Sequence, residues 1–160
     1  MAKTNAVRLL DSWEIQYKLL DYEVDLEDLA AESTARKLNL ASEQLFKTLV
    51  VRSNTNNLYF AVIPSNTQLN LKALAKLAGE RKVEMIAVKE LKSLTGYIRG
   101  GVTAIASKKD YPVYVDETIE VFERIAVSAG VRGTLIMLAT QDYLQVVKGK
   151  IGAIALFTET

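Results

Sequence analysis

The sequence predicts an α+β fold: a single domain over residues 1–160 in which a mixed, largely antiparallel sheet is flanked by helices. Three observations point there. Segments of helical and strand periodicity are interspersed without the strict alternation that a doubly wound parallel sheet requires. Two β-rich runs separated by a short polar turn read as a hairpin. No repeat, low-complexity tract or Pro/Gly/Ser linker divides the chain, and a domain of this length buries about 68–70% of its unfolded surface without a covalent staple.

The elements follow in order. Ala6, Val7, Leu9, Leu10 and Trp13 recur at helical spacing behind Thr4 or Asn5, either of which can cap, so a helix opens the chain. Residues 17–24 read as a strand. A helix fits 26–38, with Leu29, Ala30 and Leu38 near one face and acidic residues early, where the helix dipole favours them. Runs 45–51 and 58–64, rich in β-branched and aromatic residues, flank a polar turn ending in Asn54-Thr55-Asn56-Asn57 and form the hairpin. Asn70 caps a helix through Leu71, Leu74, Ala75 and Leu77, and Gly79 sits where a left-handed C-cap is usual. Residues 82–88 give a short strand and 88–94 a helix ending near Gly96. The stretch 95–109, with three glycines and no clean period, is a structured loop with room for a short strand. Strands follow at 111–116, 122–128 and 134–138, then a last helix capped by Thr140 and ended by Gly149. The two prolines, Pro64 and Pro112, fall at strand ends, where a missing amide donor costs little.

Composition narrows the chemistry. With no cysteine there is no disulfide, thiol nucleophile or thiolate metal site; with no histidine there is no Ser-His-Asp triad and no imidazole base. Catalysis here must use lysine, carboxylates, tyrosine, hydroxyls, backbone amides or groups of the substrate. Twenty basic against 19 acidic residues, a net charge of +1, argue against a protein that coats nucleic acid. The charged N-terminus offers no signal-peptide core and no apolar run approaches the ~20 residues of a spanning helix, so the expected compartment is the cytoplasm, with no membrane partner.

Lys47 stands among apolar neighbours in Leu45-Phe46-Lys47-Thr48-Leu49-Val50-Val51. Two readings are open. Its stem snorkels on a half-exposed face, or its ammonium lies at the floor of a cleft and meets an anionic or carbonyl group. Gly100-Gly101 is either a plain turn or a place where backbone amides approach a ligand closely, and the second glycine loop, residues 128–133, has the same two readings. Neither loop has the spacing of a P-loop or a dinucleotide fingerprint. The pairs Glu27-Asp28 and Asp116-Glu117 read as solvated charges. Lys108-Lys109 lies just past the first loop, within a phosphate's reach.

Lys47-Thr48-Leu49-Val50-Val51, Gln68-Leu69-Asn70-Leu71-Lys72, Lys82-Val83-Glu84-Met85, residues 95–101, Lys108-Lys109 and residues 127–133, in this order, resemble the successive signatures of the YbaK/EbsC family. Its members are free-standing relatives of the editing domain inserted in bacterial prolyl-tRNA synthetases, and the resemblance runs from about Ala6 to about Leu144. It implies a mixed-sheet editing fold whose cleft takes the aminoacylated 3′ end of tRNA and hydrolyses a mischarged ester, Cys-tRNA(Pro) or a related one, by substrate-assisted chemistry. Lys47 matches the family's hallmark strand lysine, Gly100 and Gly101 match the glycine loop beside the ester, and Tyr22 matches a tyrosine after the first helix. Thr48, Ser128 and Gly130 are the further substrate-binding candidates. No cofactor or metal is implied. The partners implied are the tRNA acceptor end and, beside it, prolyl-tRNA synthetase; no DNA partner is expected, and monomer and homodimer are both open.

Two departures stand out. Where the family reads GG-x-x-P-x-G, this chain has Ala104 in place of the proline and Ala106 in place of the last glycine, and Leu135 occupies a position where some relatives carry a carboxylate. They leave a second reading open, a binding module of the same fold that holds an aminoacyl or nucleotide-like ligand without turnover.

Overall fold

The computed structural model describes residues 3–157. Helix α1 (Asn5–Ser12) begins where Thr4 caps it, its Oγ1 accepting from the Val7 amide at 3.2 Å, and Ala6, Val7 and Leu10 form the buried stripe. Trp13, expected on that stripe, instead follows the last turn and is 46% exposed. Strand β1 (Tyr17–Asp21) stops short of the predicted 17–24. Helix α2 (Ala31–Lys37) begins well after the predicted residue 26. The early acidic residues cause the delay: Asp25 accepts from the Glu27 amide at 3.0 Å and Asp28 from the Ala30 amide at 3.3 Å, local turns that compete with a helix.

Strands β2 (Phe46–Ser53) and β3 (Leu58–Pro64) form the expected hairpin, with β2 running on to Ser53. There the Ser53 Oγ accepts from the Thr55 and Asn57 amides and Asn56 takes a left-handed φ of 67°, which closes the turn. Strand β4 (Thr67–Leu69) has no counterpart in the sequence reading. Helix α3 (Leu71–Leu77) is capped as expected by Asn70, whose side chain accepts from the Ala73 amide at 3.1 Å, and Gly79 follows at φ +72°. Strand β5 (Val83–Met85) is shorter than 82–88. A 3₁₀ turn (Val88–Glu90) leads into helix α4 (Leu91–Thr95), which Gly96 ends in the left-handed region.

The loop that follows contains no strand. After it come strand β6 (Val113–Asp116), a 3₁₀ turn (Glu117–Val121), strands β7 (Arg124–Ser128) and β8 (Thr134–Ala139), helix α5 (Thr140–Val147), and strands β9 (Lys150–Gly152) and β10 (Ala155–Phe157). Two details of α5 differ from expectation. Thr140 lies inside the first turn rather than capping it, its hydroxyl donating to the Phe122 carbonyl at 2.6 Å. Lys148, at φ +54°, rather than Gly149 takes the left-handed C-cap.

The strands divide among three sheets: five strands in the order β5-β2-β3-β6-β9, three in the order β1-β8-β7, and the pair β10-β4. Pairing is antiparallel except at β3-β6 and β6-β9, so the fold is the mixed, largely antiparallel α+β arrangement predicted, split into more pieces. Strand β3 is buried on both faces. Phe60 and Val62 face a main core shared with Val50, Val113 and Val115, the β7-β8 pair and the α1 stripe. Tyr59, Ala61 and Ile63 face a second core under Leu74 and Ala75 of α3. A small third core joins Ala35 of α2 to Leu45, Ala126 and Leu135. No helix among the described residues is long and apolar enough to cross a membrane.

Candidate active site

The site arises from an interruption in strand pairing. On the side of β2 away from β3, Gln44 accepts from the Ala126 amide at 3.1 Å and Leu45 bridges Ala126, while at the other end Val50 accepts from the Ile86 amide at 3.2 Å and Val51–Ser53 pair with β5. Between these anchors no strand covers that edge of β2 among the described residues. The gap is a cleft of about 520 Å³, within the size range of sites for small ligands.

Lys47, Thr48, Tyr22, Ser128 and Gly100 all line this cleft, so residues far apart in sequence meet. Lys47 is half-buried, and its Nζ donates to the Ser65 carbonyl at 3.3 Å. No carboxylate among the described residues lies within ion-pair distance of it. Burial pushes its pKa below the ordinary 10.5, opposed in part by the charge of Glu32 on α2. Lys47 thus combines a half-exposed side chain with a place at a cleft. Thr48, on the opposite face of β2, is a polar neighbour of the fully buried Tyr143.

The two glycine loops turn out to be packed against each other. Gly101 is buried, and a Cβ there would lie 3.0–3.1 Å from the Val131 backbone. Its amide donates to the Ile98 carbonyl at 2.9 Å. Gly101 therefore does not line the cleft and has no free donor, which corrects the expectation of two consecutive amides aimed at a ligand. Gly100, at φ +88°, does line it, and its amide has no acceptor among the described residues. The Arg132 side chain braces this bend from behind, its Nε donating to the Arg99 carbonyl at 2.8 Å. Gly130 also lies outside the cleft lining. Its amide donates to Ser128 Oγ at 3.1 Å, orienting that hydroxyl, and a Cβ on it would stand 2.8 Å from the Tyr97 ring. We expect Gly101→Ala to cost about 1–3 kcal/mol by driving the loops apart, read as a lower midpoint in chemical denaturation.

The departures from the family pattern are legible in the same loop. Ala106 holds φ +55°, a left-handed conformation that a glycine would adopt without strain. Other contacts keep it there: the Tyr97 hydroxyl points at the Ile105 and Ala106 carbonyls (2.6 and 3.0 Å), and the buried Thr103 Oγ1 accepts from the Ile105 amide at 3.2 Å. Ala106→Gly should relieve the strain for a net stabilisation of about 0.5–1 kcal/mol, measurable by the same denaturation midpoint. Leu135 is 4% exposed at the cleft wall and packs on Ala35 and Leu45, so an apolar wall stands where some relatives carry a charge.

Several lining residues carry no sequence signal. In the sequence Glu32 and Leu29 show only as helix positions. Arg99 was part of a loop, and the apolar side formed by Ile86, Val88 and Leu91 comes from a 3₁₀ turn and a short helix too brief to show a face. Among the described residues no cluster of carboxylates could hold a metal ion.

Comparison with known proteins gives a family and a fold. Residues 28–146 match the aminoacyl-tRNA editing domain. Over 152 residues the chain is 41% identical to EbsC of Enterococcus faecalis, provisionally named a Cys-tRNA(Pro)/Cys-tRNA(Cys) deacylase, spanning 95% of this chain and 93% of that protein. Among solved structures, the hypothetical protein APE2540 superposes with a TM-score of 0.86 at 21% identity, covering 96% of this chain and 100% of that one. A provisionally named trans-editing enzyme for prolyl-tRNA synthetase superposes with a TM-score of 0.81 at 18% identity, covering 98% and 99%. At such identities the two structures speak for the fold alone.

Proposed function

The chain belongs to the aminoacyl-tRNA editing-domain family, and from that premise we propose that it is a trans-acting deacylase, one domain that hydrolyses the ester of a mischarged tRNA, with Cys-tRNA(Pro) the first substrate to test. The observation that carries the reading is the meeting, in one cleft, of a desolvated lysine and the unpartnered amide of a glycine bend. The substrate choice rests on the 41% identity to the E. faecalis protein.

In this reading the Lys47 ammonium holds the acceptor terminus through a phosphate or ribose oxygen, and the Gly100 amide faces the ester carbonyl where negative charge develops. Water bonds to the carbonyl carbon and the bond to the ribose oxygen breaks; one of the water's protons ends on that oxygen, and its hydroxyl stays on the carbon as the carboxyl of the released amino acid, which ionises. The family resemblance implies that groups of the substrate carry that proton, which agrees with a chain that has no histidine or cysteine to offer. Ser128, its hydroxyl oriented by the Gly130 amide, and the Tyr22 side chain line the space for ribose and aminoacyl group, while Thr48 borders it from β2 with its side chain turned toward Tyr143. Leu135 and Leu29 give that space apolar walls, which suit a small uncharged side chain. We place the reaction in the cytoplasm beside prolyl-tRNA synthetase, whose mischarged product it would clear.

The test is release of labelled amino acid from a panel of mischarged tRNAs, Cys-tRNA(Pro) and Ala-tRNA(Pro) among them, against correctly charged controls. Turnover of a mischarged member is expected. Binding that protects every ester from spontaneous hydrolysis would instead establish the binding module that Ala104, Ala106 and Leu135 left open.

A further inference from the structure

The cleft has an acid, Glu32, on one side and a base, Arg99, on the other. The first side, residues 22–37, carries Glu23, Asp25, Glu27, Asp28 and Glu32 against Arg36 and Lys37 at the far end of α2. The other, residues 86–110, carries Lys89, Lys92, Arg99, Lys108 and Lys109 against two acids, Glu90 and Asp110. Glu90 is already paired, with Arg52 at 3.1 Å. Val88 and Leu91 line the cleft, so Lys89 and Lys92 ride on the same two turns of chain; Arg99 lines it directly. Lys108 is drawn to this shoulder, its Nζ donating to the Ser93 carbonyl at 3.3 Å. Lys89, Lys92 and Arg99 are exposed and have no ion pair among the described residues.

Exposed cations collected on one lip of a cleft, without counter-ions, favour an extended polyanion over a compact small ligand. We propose that Lys89, Lys92 and Arg99 form the track for the acceptor-strand phosphates, so that tRNA approaches across the 3₁₀ turn and α4, and the aminoacyl group, with its cationic α-amine, is directed toward the acidic wall at Glu32. The inference rests on the deacylase reading and adds a direction of approach. The near-neutral net charge fits a track of a few contacts rather than a broad basic face.

Lys89→Glu/Lys92→Glu tests it against two substrates, a full aminoacyl-tRNA and the same amino acid esterified to adenosine, which lacks the acceptor phosphates. For the tRNA, kcat/KM is expected to fall at least tenfold at low salt, chiefly through KM, and the slope of log affinity against log salt to shrink by about 2. For the adenosine ester, kcat/KM should stay within twofold of the parent. The control Lys76→Glu/Lys150→Glu, on α3 and β9, carries the same charge change away from the cleft and should leave both substrates unchanged. Equal losses on both substrates, equal losses in the control, or an unchanged salt slope would overturn the track. Should the parent protein hydrolyse neither ester, the deacylase reading fails by itself, and the salt slope of uncharged tRNA binding still decides the track.

Discussion

Lys47→Met is expected to lower kcat/KM for deacylation of Cys-tRNA(Pro) by at least about 10²–10³-fold, the loss typical of one donor aimed at developing charge, while leaving the protein as stable as before or more so. The two halves have one cause. The ammonium is half-buried, with one hydrogen bond, to the Ser65 carbonyl, and no ion pair within reach among the described residues. Burial lowers its pKa from 10.5, so the fold accommodates the neutral amine more readily than the charged one. Between the lowered pKa and 10.5 the unfolded chain binds more protons than the folded one, and stability rises with pH across that window. Below the lowered pKa both states are charged and the burial penalty is present in full. Methionine keeps the length of the side chain and removes that penalty. Lysine here works against the fold, and its presence points to the ligand. Deacylation rates and a thermal melt of the same preparation check the claim; wild-type turnover removes Lys47 from the mechanism, and a strongly lowered melting temperature makes it structural. Lys47→Arg separates charge from titration: wherever the variant is active, its rate should hold to higher pH than that of the parent, because a guanidinium does not deprotonate there.

How much of this was legible in the sequence follows from the range of the interactions. The β2-β3 hairpin, the Asn70 and Thr4 caps and the placement of Lys47 among apolar neighbours are local patterns, and the structure has each of them. The late start of α2 was also local, but periodicity outweighed the Asp25 and Asp28 side chains, which tie up the Glu27 and Ala30 amides. Strands β4, β9 and β10 are three residues each, too short to show a period of two, and exist because partners distant in sequence pair with them. The cleft is the least local feature. It needs β7 at one end of the outer edge of β2 and β5 at the other, and no stretch of sequence encodes the space between. The contact of Gly101 with Val131 is of the same kind: each glycine loop by itself reads as a turn, and the reason for the missing Cβ lies in the other loop.

Asp116→Ala should separate folding from chemistry in the opposite sense, with a loss of at least about 3 kcal/mol, given that each buried donor left without an acceptor costs about 1–3 kcal/mol. In the sequence Asp116 reads as one of a solvated pair with Glu117. It is instead 2% exposed at the end of β6. Its Oδ1 accepts from the Ile154 and Ala155 amides at 3.0 and 2.9 Å, and its Oδ2 from the Thr118 amide and hydroxyl at 3.2 and 2.6 Å. One carboxylate thus holds the 3₁₀ turn after β6 on one side and, on the other, the link between β9 and β10, the strands that close an edge of the five-stranded sheet and pair with β4. Alanine strands all four donors at once, which for a chain of this size corresponds to a drop of roughly 6–12 °C in melting temperature. The substitution Asp116→Asn keeps an acceptor for one side and turns an amide against the donors of the other, so its stability should fall between those of the parent and the alanine variant. Because Asp116 lies outside the cleft lining, deacylation per folded molecule, measured well below the lowered melting temperature, should match the parent; a specific activity reduced tenfold there would mean that the C-terminal strands shape the site as well as the sheet.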